Sequence, residues 1–204
     1  MALTTYNKKR NFKETSEPPG KTKKSVSKLI FVVQRHKASR LHYDFRLEMD
    51  GVLKSWAVPK GPSMNPKDKR LAMMVEDHPY DYRDYEGIIP EGNYGAGIVE
   101  IWDSGTYSDL ENSPQNEAEK NLRKGLKSGD FKFQLFGKKL KGEFVLVKLK
   151  GKEDNSWLLI KHRDNFAVDE DYNSEEQTKK DSPINKWLAE NIKPSKKKRP
   201  DLNH

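Results

Sequence analysis

Between Leu41 and Leu47 the chain alternates strictly. Leu41, Tyr43, Phe45 and Leu47 are apolar, and His42, Asp44 and Arg46 fall between them. A period of two belongs to a strand with one face in a core and the other free to present polar groups. Asp50-Gly51 follows, a dipeptide suited to a tight hairpin turn, and Leu53, Trp56 and Val58 supply apolar positions for a return strand. Further strands are predicted over LIFVVQ (29–34), RLAMMVE (70–76), GIVEIWDSGTY (97–107) and SWLLIKHRD (156–164), with a second hairpin over 131–149. The stretch 78–97 reads as a turn-rich loop. Ser113-Pro114 predicts a helix start, with serine as cap and proline in the first turn, and Gly129 its end. Ile184, Trp187, Leu188 and Ile192 recur on one helical face, which predicts a docking helix over 183–193.

Short strands at regular spacing predict a mainly β fold, a compact antiparallel β-barrel (or sandwich) with a few short flanking helices and basic, partly disordered ends. The expected organisation is an extended N-terminal arm with few core contacts (1–27), a barrel domain (28–167), and a polar segment with the docking helix and a basic tail (168–204).

Composition narrows the class. The chain has 204 residues, enough for one domain with a real core, but charged residues reach 34% and hydrophobic ones only 33%. The net charge of +8 is concentrated in the ends. Residues 1–28 carry eight Lys/Arg against two acids, and 191–204 carry five against one, so the remainder is slightly acidic. Such ends either bind polyanions or serve as solvated tails. With no cysteine there is neither a disulfide framework nor a thiolate zinc site. No apolar run approaches a membrane span and the N-terminal stretch has no signal-type apolar region, so a cytoplasmic protein without membrane contact is expected.

The chemistry gathers on the alternating strand. A lone histidine on a strand is usually structural, but His42, Asp44 and Arg46 share one face and His36 precedes them after a short connection. Two imidazoles and a carboxylate can hold a divalent metal with positions left for water and substrate, and an arginine beside them suits a phosphate. Glu76, Asp77 and His78 end a strand before Pro79, which places His78 at a loop edge where it could protonate a leaving oxygen, with Tyr82 four residues on. Lys60, Arg70 and Arg35 could add positive charge. GNYGAG (92–97) lacks the Lys-Ser/Thr of a phosphate-binding loop and reads as a turn with special backbone angles. No Lys-x-Asp-Gly motif of a nucleotidyl-lysine ligase occurs.

Two long stretches, FVVQRHKASRLHYDFRLEMDGVLKSWAVPKGPS and RLAMMVEDHPYDYRDYEGIIPEGNYGAGIVEIWDSGTY, closely resemble the 3′-phosphoesterase domain of bacterial DNA ligase D. The close likeness covers roughly residues 28–107, with weaker similarity at RNFKETSEP (10–18) and KHRD (161–164). The resemblance implies a β-barrel with a polar groove and a manganese-dependent end-healing enzyme, although such ligands also suit zinc or iron. That enzyme removes a 3′-terminal ribonucleoside from a primer strand, leaving a 3′-phosphate, and then hydrolyses the phosphate to a 3′-hydroxyl. It implies bacterial nonhomologous end joining beside a ligase, a polymerase and Ku, acting on DNA or RNA-tipped primer-template ends as a monomer near the nucleoid. By matching position, His36, His42 and Asp44 are the implied metal ligands. Arg46 and His78 are implied to contact the scissile phosphate, His78 also as general acid, and Tyr82 to position phosphate or sugar. Gln34, Lys60, Arg70 and Glu76 match further site positions. Arg10 and Glu17 imply that the arm contributes to the site, and Asn11 stands where the family usually has aspartate, which bears on the ribonuclease step.

Two rivals make different demands. A non-haem iron oxygenase would need His162 to complete a triad with His42 and Asp44. A catalytically silent DNA-end-binding module would use the basic ends and exposed tyrosines without metal or histidines.

Overall fold

In the computed structural model, which describes residues 3–151 and 153–191, Asp50 and Gly51 both take positive φ (55° and 76°) and close the tightest hairpin of the chain. In chain order the elements are a short helix α1 (Thr4–Lys8), then β1 (Leu29–Lys37), β2 (Leu41–Met49), β3 (Val52–Val58) and β4 (Arg70–Pro79). A 3-10 turn spans Tyr80–Asp84, followed by β5 (Gly87–Ile89), β6 (Gly97–Ser108), α2 (Gln115–Ser128), β7 (Asp130–Gly137), β8 (Lys141–Lys148), β9 (Ser156–Lys161) and α3 (Pro183–Asn191). The sheet runs β1-β2-β3-β4-β9-β8-β7-β6 and closes where β6 pairs back onto β1, giving an antiparallel eight-stranded barrel with β5 added on the outer side of β6. Closure removes the free edges that an open sheet of this size would expose.

The barrel interior is filled by the odd positions of β1 and β2 and their partners. Phe31, Val33, Phe45, Leu47, Trp56, Phe133, Phe144 and Trp157 form one cluster, with Phe133 and Phe144 stacked at 6.2 Å. Each fully buried leucine or phenylalanine contributes about 1.5–3 kcal/mol relative to exposure. From Tyr43 to Met49 every residue of β2 is buried, so its outward face is also covered. A second cluster supplies the cover: Leu3 and Tyr6 from the arm, Tyr82 from the 3-10 turn, Tyr85 just after it, and Ile89 pack over Val32, Leu53 and Val99.

The arm therefore differs from the expected extended segment with few contacts. It forms α1, buries Tyr6 completely, and buries Thr15 and Glu17. The cause is tertiary: Val32 on β1, Leu53 on β3 and Val99 on β6 put an apolar patch on the outer face, and the arm covers it. Three smaller expectations also shift. Residues 78–97 hold β5 and the 3-10 turn as well as loop. The Ser113 hydroxyl donates to Asp109 (2.8 Å), so Ser113 does not cap α2, and Pro114 flanks the helix with no side-chain cap. Gly129 ends α2 at φ 80° as expected. In α3 only Ile184 is buried, and Trp187 remains 37% exposed. Ile192 and the basic tail lie outside the described residues.

Candidate metal centre and phosphate pocket

His36 and His42 are direct partners across the β1–β2 ladder, and Gln34 faces Asp44 one step along the same side. Alternation then sends His42, Asp44 and Arg46 to the outer face of the barrel, beneath the arm and the 78–97 segment. The imidazole rings lie 4.8 Å apart. One ligand atom from each of His36, His42 and Asp44 falls within 4.8 Å of the other two, and among the described residues this trio alone meets that criterion for a metal.

Backbone carbonyls orient both rings. His36 Nε2 lies 2.9 Å from the Gly95 carbonyl and His42 Nδ1 lies 3.0 Å from that of Arg40. A carbonyl only accepts, so each of those nitrogens carries the proton, and the lone pairs of His36 Nδ1 and His42 Nε2 turn towards Asp44. They sit 3.5 Å and 3.7 Å from its carboxylate oxygens. Those distances are long for hydrogen bonds, and they suit ligands held at about 2.1 Å from a shared ion. Three electron-rich atoms converging with no proton between them fit a divalent cation.

Arg46 is fixed on every side but one. Its Nη2 donates to Asp44 (3.0 Å) and its Nε to Gln34 Oε1 (2.8 Å). The Gln34 amide in turn donates to the carbonyls of Tyr82 and Tyr85. The Tyr82 ring packs 4.9 Å from the guanidinium carbon. Nη1 is buried with no hydrogen-bond partner. An orphan donor on a buried guanidinium lining a pocket is matched by an anionic oxygen. Burial works to raise the pKa of Asp44, but the Arg46 guanidinium beside it outweighs burial and holds the carboxyl well below the usual range.

His78 closes the far wall. Its Nδ1 lies 2.9 Å from the Glu76 carbonyl and its Nε2 3.1 Å from Arg10 Nη2, so the ring is protonated on Nδ1 and accepts at Nε2. Burial, reinforced by the charges of Arg46 and Arg10, drops its pKa well below 6.5 and keeps it neutral. The arm enters here. Arg10 Nε pairs with Glu17 (2.8 Å), Nη1 reaches Glu76 (3.4 Å), and the guanidinium lies 3.8 Å from the centre of the Tyr6 ring. The Tyr82 hydroxyl donates to Glu17 (2.9 Å), and burial keeps that phenol well above its ordinary pKa. The pocket enclosed by these groups measures about 280 Å³. A larger cavity of about 400 Å³ at the start of α2 is lined by no histidine or carboxylate, so chemistry rather than size singles out the smaller one.

The pocket thus gathers His36, His42, Asp44, Arg46, Glu76, His78, Tyr82 and Arg10, with Gln34 and Glu17 behind them. Lys60 and Arg70 are elsewhere. They line a separate recess beside Tyr43 and Glu175 at the barrel mouth, where Arg70 donates to Asp68 and to the Tyr172 carbonyl. Asn11 is exposed and its side chain accepts from the Lys13 amide. His162 lies near Glu143 (3.5 Å) and outside the trio, which removes the triad that the oxygenase alternative requires. Sequence reasoning missed Tyr6, Lys9 and Tyr94. Lys9 bridges Glu76 (3.2 Å) and the Tyr94 hydroxyl (3.1 Å) over the pocket. Their sole signal was a tyrosine inside the glycine-rich turn.

A model of the DNA ligase D 3′-phosphoesterase domain matches residues 34–148. The chain belongs to that family. Among relatives, the multifunctional non-homologous end joining protein LigD of Pseudomonas aeruginosa is 50% identical over 169 residues, 81% of this chain and 19% of the relative. The LigD of Mycolicibacterium smegmatis is 42% identical over 171 residues, 79% of this chain and 21% of the relative. That of Mycobacterium tuberculosis is 42% identical over 157 residues, 76% and 19%. This 3′-phosphoesterase-family chain therefore spans about a fifth of the length of those relatives. No helix among its described residues is long and apolar enough to cross a membrane.

Proposed function

We propose that this chain is a manganese-dependent 3′-end-healing phosphoesterase of bacterial nonhomologous end joining. It removes a 3′-terminal ribonucleoside from a primer strand and then hydrolyses the resulting 3′-phosphate to a hydroxyl. The observation that carries the reading is the convergence of the His36, His42 and Asp44 lone pairs beside the orphan Nη1 of Arg46.

His36, His42 and Asp44 would hold the metal, which supplies a Lewis acid and an acidified water when bound. Arg46 binds a phosphoryl oxygen through Nη1 and stabilises charge that grows on it in the transition state. Gln34 keeps that guanidinium in place. His78 is neutral in the free protein, so it takes up a proton only when the phosphate charge offsets Arg46 and Arg10, and it can then donate to the leaving oxygen. Arg10, held by Glu17 and Glu76, adds a second cation on the leaving-group side. Tyr82 supplies an aromatic wall. Lys60 and Arg70 are left to bind more distant parts of the substrate. The LigD relatives are end-joining proteins by name, which supports placement in end joining; a ligase, a polymerase and Ku as partners, and action as a monomer in the cytoplasm, belong to the same proposal.

The test uses two labelled primer-templates, one ending in a 3′-ribonucleotide and one in a 3′-phosphate, each with manganese and with chelator. Manganese-dependent shortening followed by phosphate loss is expected. Phosphate loss alone would restrict the activity to the phosphatase step. No reaction, with chelator-resistant DNA binding, would reject hydrolysis in favour of a silent end-binding module.

A further inference from the structure

The phosphate pocket is lined by two tyrosines that differ in what they can still touch. Tyr82 is 2% exposed, with its hydroxyl given to Glu17 and its ring packed on Arg46. Tyr94 lines the same pocket and is 48% exposed. It sits in the turn between β5 and β6, which is closed by the Asn93 amide on the Pro90 carbonyl (3.2 Å) and the Ala96 amide on the Asn93 carbonyl (3.1 Å). The neighbouring Gly95 carbonyl is the one that orients His36. The backbone that sets a metal ligand therefore also sets this ring. Lys9 steadies it from the arm, donating to the hydroxyl (3.1 Å) with its ammonium 4.3 Å from the ring centre.

Arg10 relates the ring to the chemistry. Its Nη2 lies 3.1 Å from His78 Nε2, and its guanidinium carbon lies 5.6 Å from the centre of the Tyr94 ring. Tyr94 thus stands on the side of the pocket where His78 would protonate the leaving oxygen. In both hydrolytic steps that oxygen belongs to the last nucleoside of the primer. It is the 5′ oxygen of the terminal ribonucleoside in the first step, and the 3′ oxygen of the new terminal nucleoside in the second. At a paired 3′ end every other base of the primer is stacked on both faces, and the last one has its outer face free. An aromatic side chain with free surface is matched to such a face and tolerates any base. We propose that Tyr94 is a specificity residue that stacks on the outer face of the terminal base of a paired 3′ end. The inference rests on the end-healing reading and deepens it, by naming what holds the nucleoside whose oxygen departs.

The test crosses Tyr94 with the base itself. Two primer-templates are made, one with a paired terminal nucleotide and one with a tetrahydrofuran abasic analogue at that position. Each is used with a 3′-hydroxyl for binding by anisotropy and with a 3′-phosphate for kcat/KM in manganese. Tyr94→Ala should weaken binding of the base-bearing end roughly tenfold and lower its kcat/KM by a similar factor. Tyr94→Phe, which keeps the ring and loses the contact with Lys9, should stay near the parent. On the abasic end Tyr94→Ala should lose far less, because the base that the ring would cover is gone. Thermal melts establish that each variant is folded. Equal losses on the two ends would overturn stacking and make Tyr94 a support for the Gly95 turn and His36. Unchanged affinity and kcat/KM on the base-bearing end, or no binding by the parent, would also overturn it. Binding to the 3′-hydroxyl ends needs no turnover, so a chain that shows the base-dependent difference without hydrolysis keeps the stacking contact and loses only the reaction.

Discussion

Arg46 shows how much of the site is decided by single side chains. Two of its nitrogens are spent on Asp44 and Gln34, and the third is buried without a partner. A guanidinium placed this way contributes mainly when charge develops beside it, so Arg46→Ala should lower kcat by about 10²–10³-fold. Steady-state kinetics on a 3′-phosphate end would show it, and a loss confined to KM would contradict the assignment. His78 makes a claim about pH. In the free protein its pKa lies well below 6.5, and a general acid must be protonated. The kcat/KM profile, which reports the free enzyme, should therefore fall with rising pH along a limb that begins below 6.5. The kcat limb should lie higher, because bound phosphate favours the imidazolium. A flat kcat/KM from pH 5 to 8 would remove His78 from the acid role. At this scale the sequence was most informative where function rides on a simple period. Alternation alone placed His42, Asp44 and Arg46 on one face. It could not show that carbonyls of Arg40 and Gly95 set the two tautomers, because those contacts depend on turns folding back onto the strands.

The elements follow the same division. The Asp50-Gly51 hairpin and the helix end at Gly129 are local, enforced by positive φ, and readable in the chain. The burial of β2 on both faces is not local, because its outer cover comes from α1 and the 3-10 turn, distant in sequence. β5 is three residues long and exists through its pairing with β6. The same dependence holds for the β7–β8 connection. There the amides of Lys138, Lys139 and Leu140 all donate to the carboxylate of Asp103 on β6 (3.0, 3.2 and 2.8 Å). Asp103→Ala would strand those donors, and a loss of about 2–3 kcal/mol by urea denaturation is expected. A change below about 0.5 kcal/mol would mean that water satisfies them equally well.

For the whole molecule, the C-terminal segment closes one end of the barrel. Arg35 is fully buried there, donating to Glu100 (2.9 Å), Glu175 (2.5 Å) and Asn185 (2.9 Å), and Tyr43 also donates to Glu175. Glu175→Ala leaves Arg35 short of charge compensation and should cost roughly 2–4 kcal/mol, towards the lower end for a broken buried pair because Glu175 keeps contact with water. It should also speed proteolysis between Tyr172 and Asn191, and an unchanged melting profile would contradict the closure role. Burial raises the Glu175 pKa, but the hydrogen bonds from Arg35 and Tyr43 and the Arg35 charge bring it below 4.5 in the folded state. The unfolded chain then binds the proton more readily, so this contribution is present above pH 4.5 and is lost as pH falls through the folded value. The barrel and its family were legible because the strands carry their own pattern. The exposure of Trp187 was not, since helical spacing put it on the docking face and the sheet accepted only Ile184.

The most direct measurement is a manganese titration followed by the electron paramagnetic resonance signal of the free ion. One ion should bind per chain, and binding should be lost in both His42→Ala and Asp44→Ala variants that melt like the parent. Undiminished binding in either variant, or no binding by the parent chain, would contradict the assignment of His36, His42 and Asp44 as a metal centre.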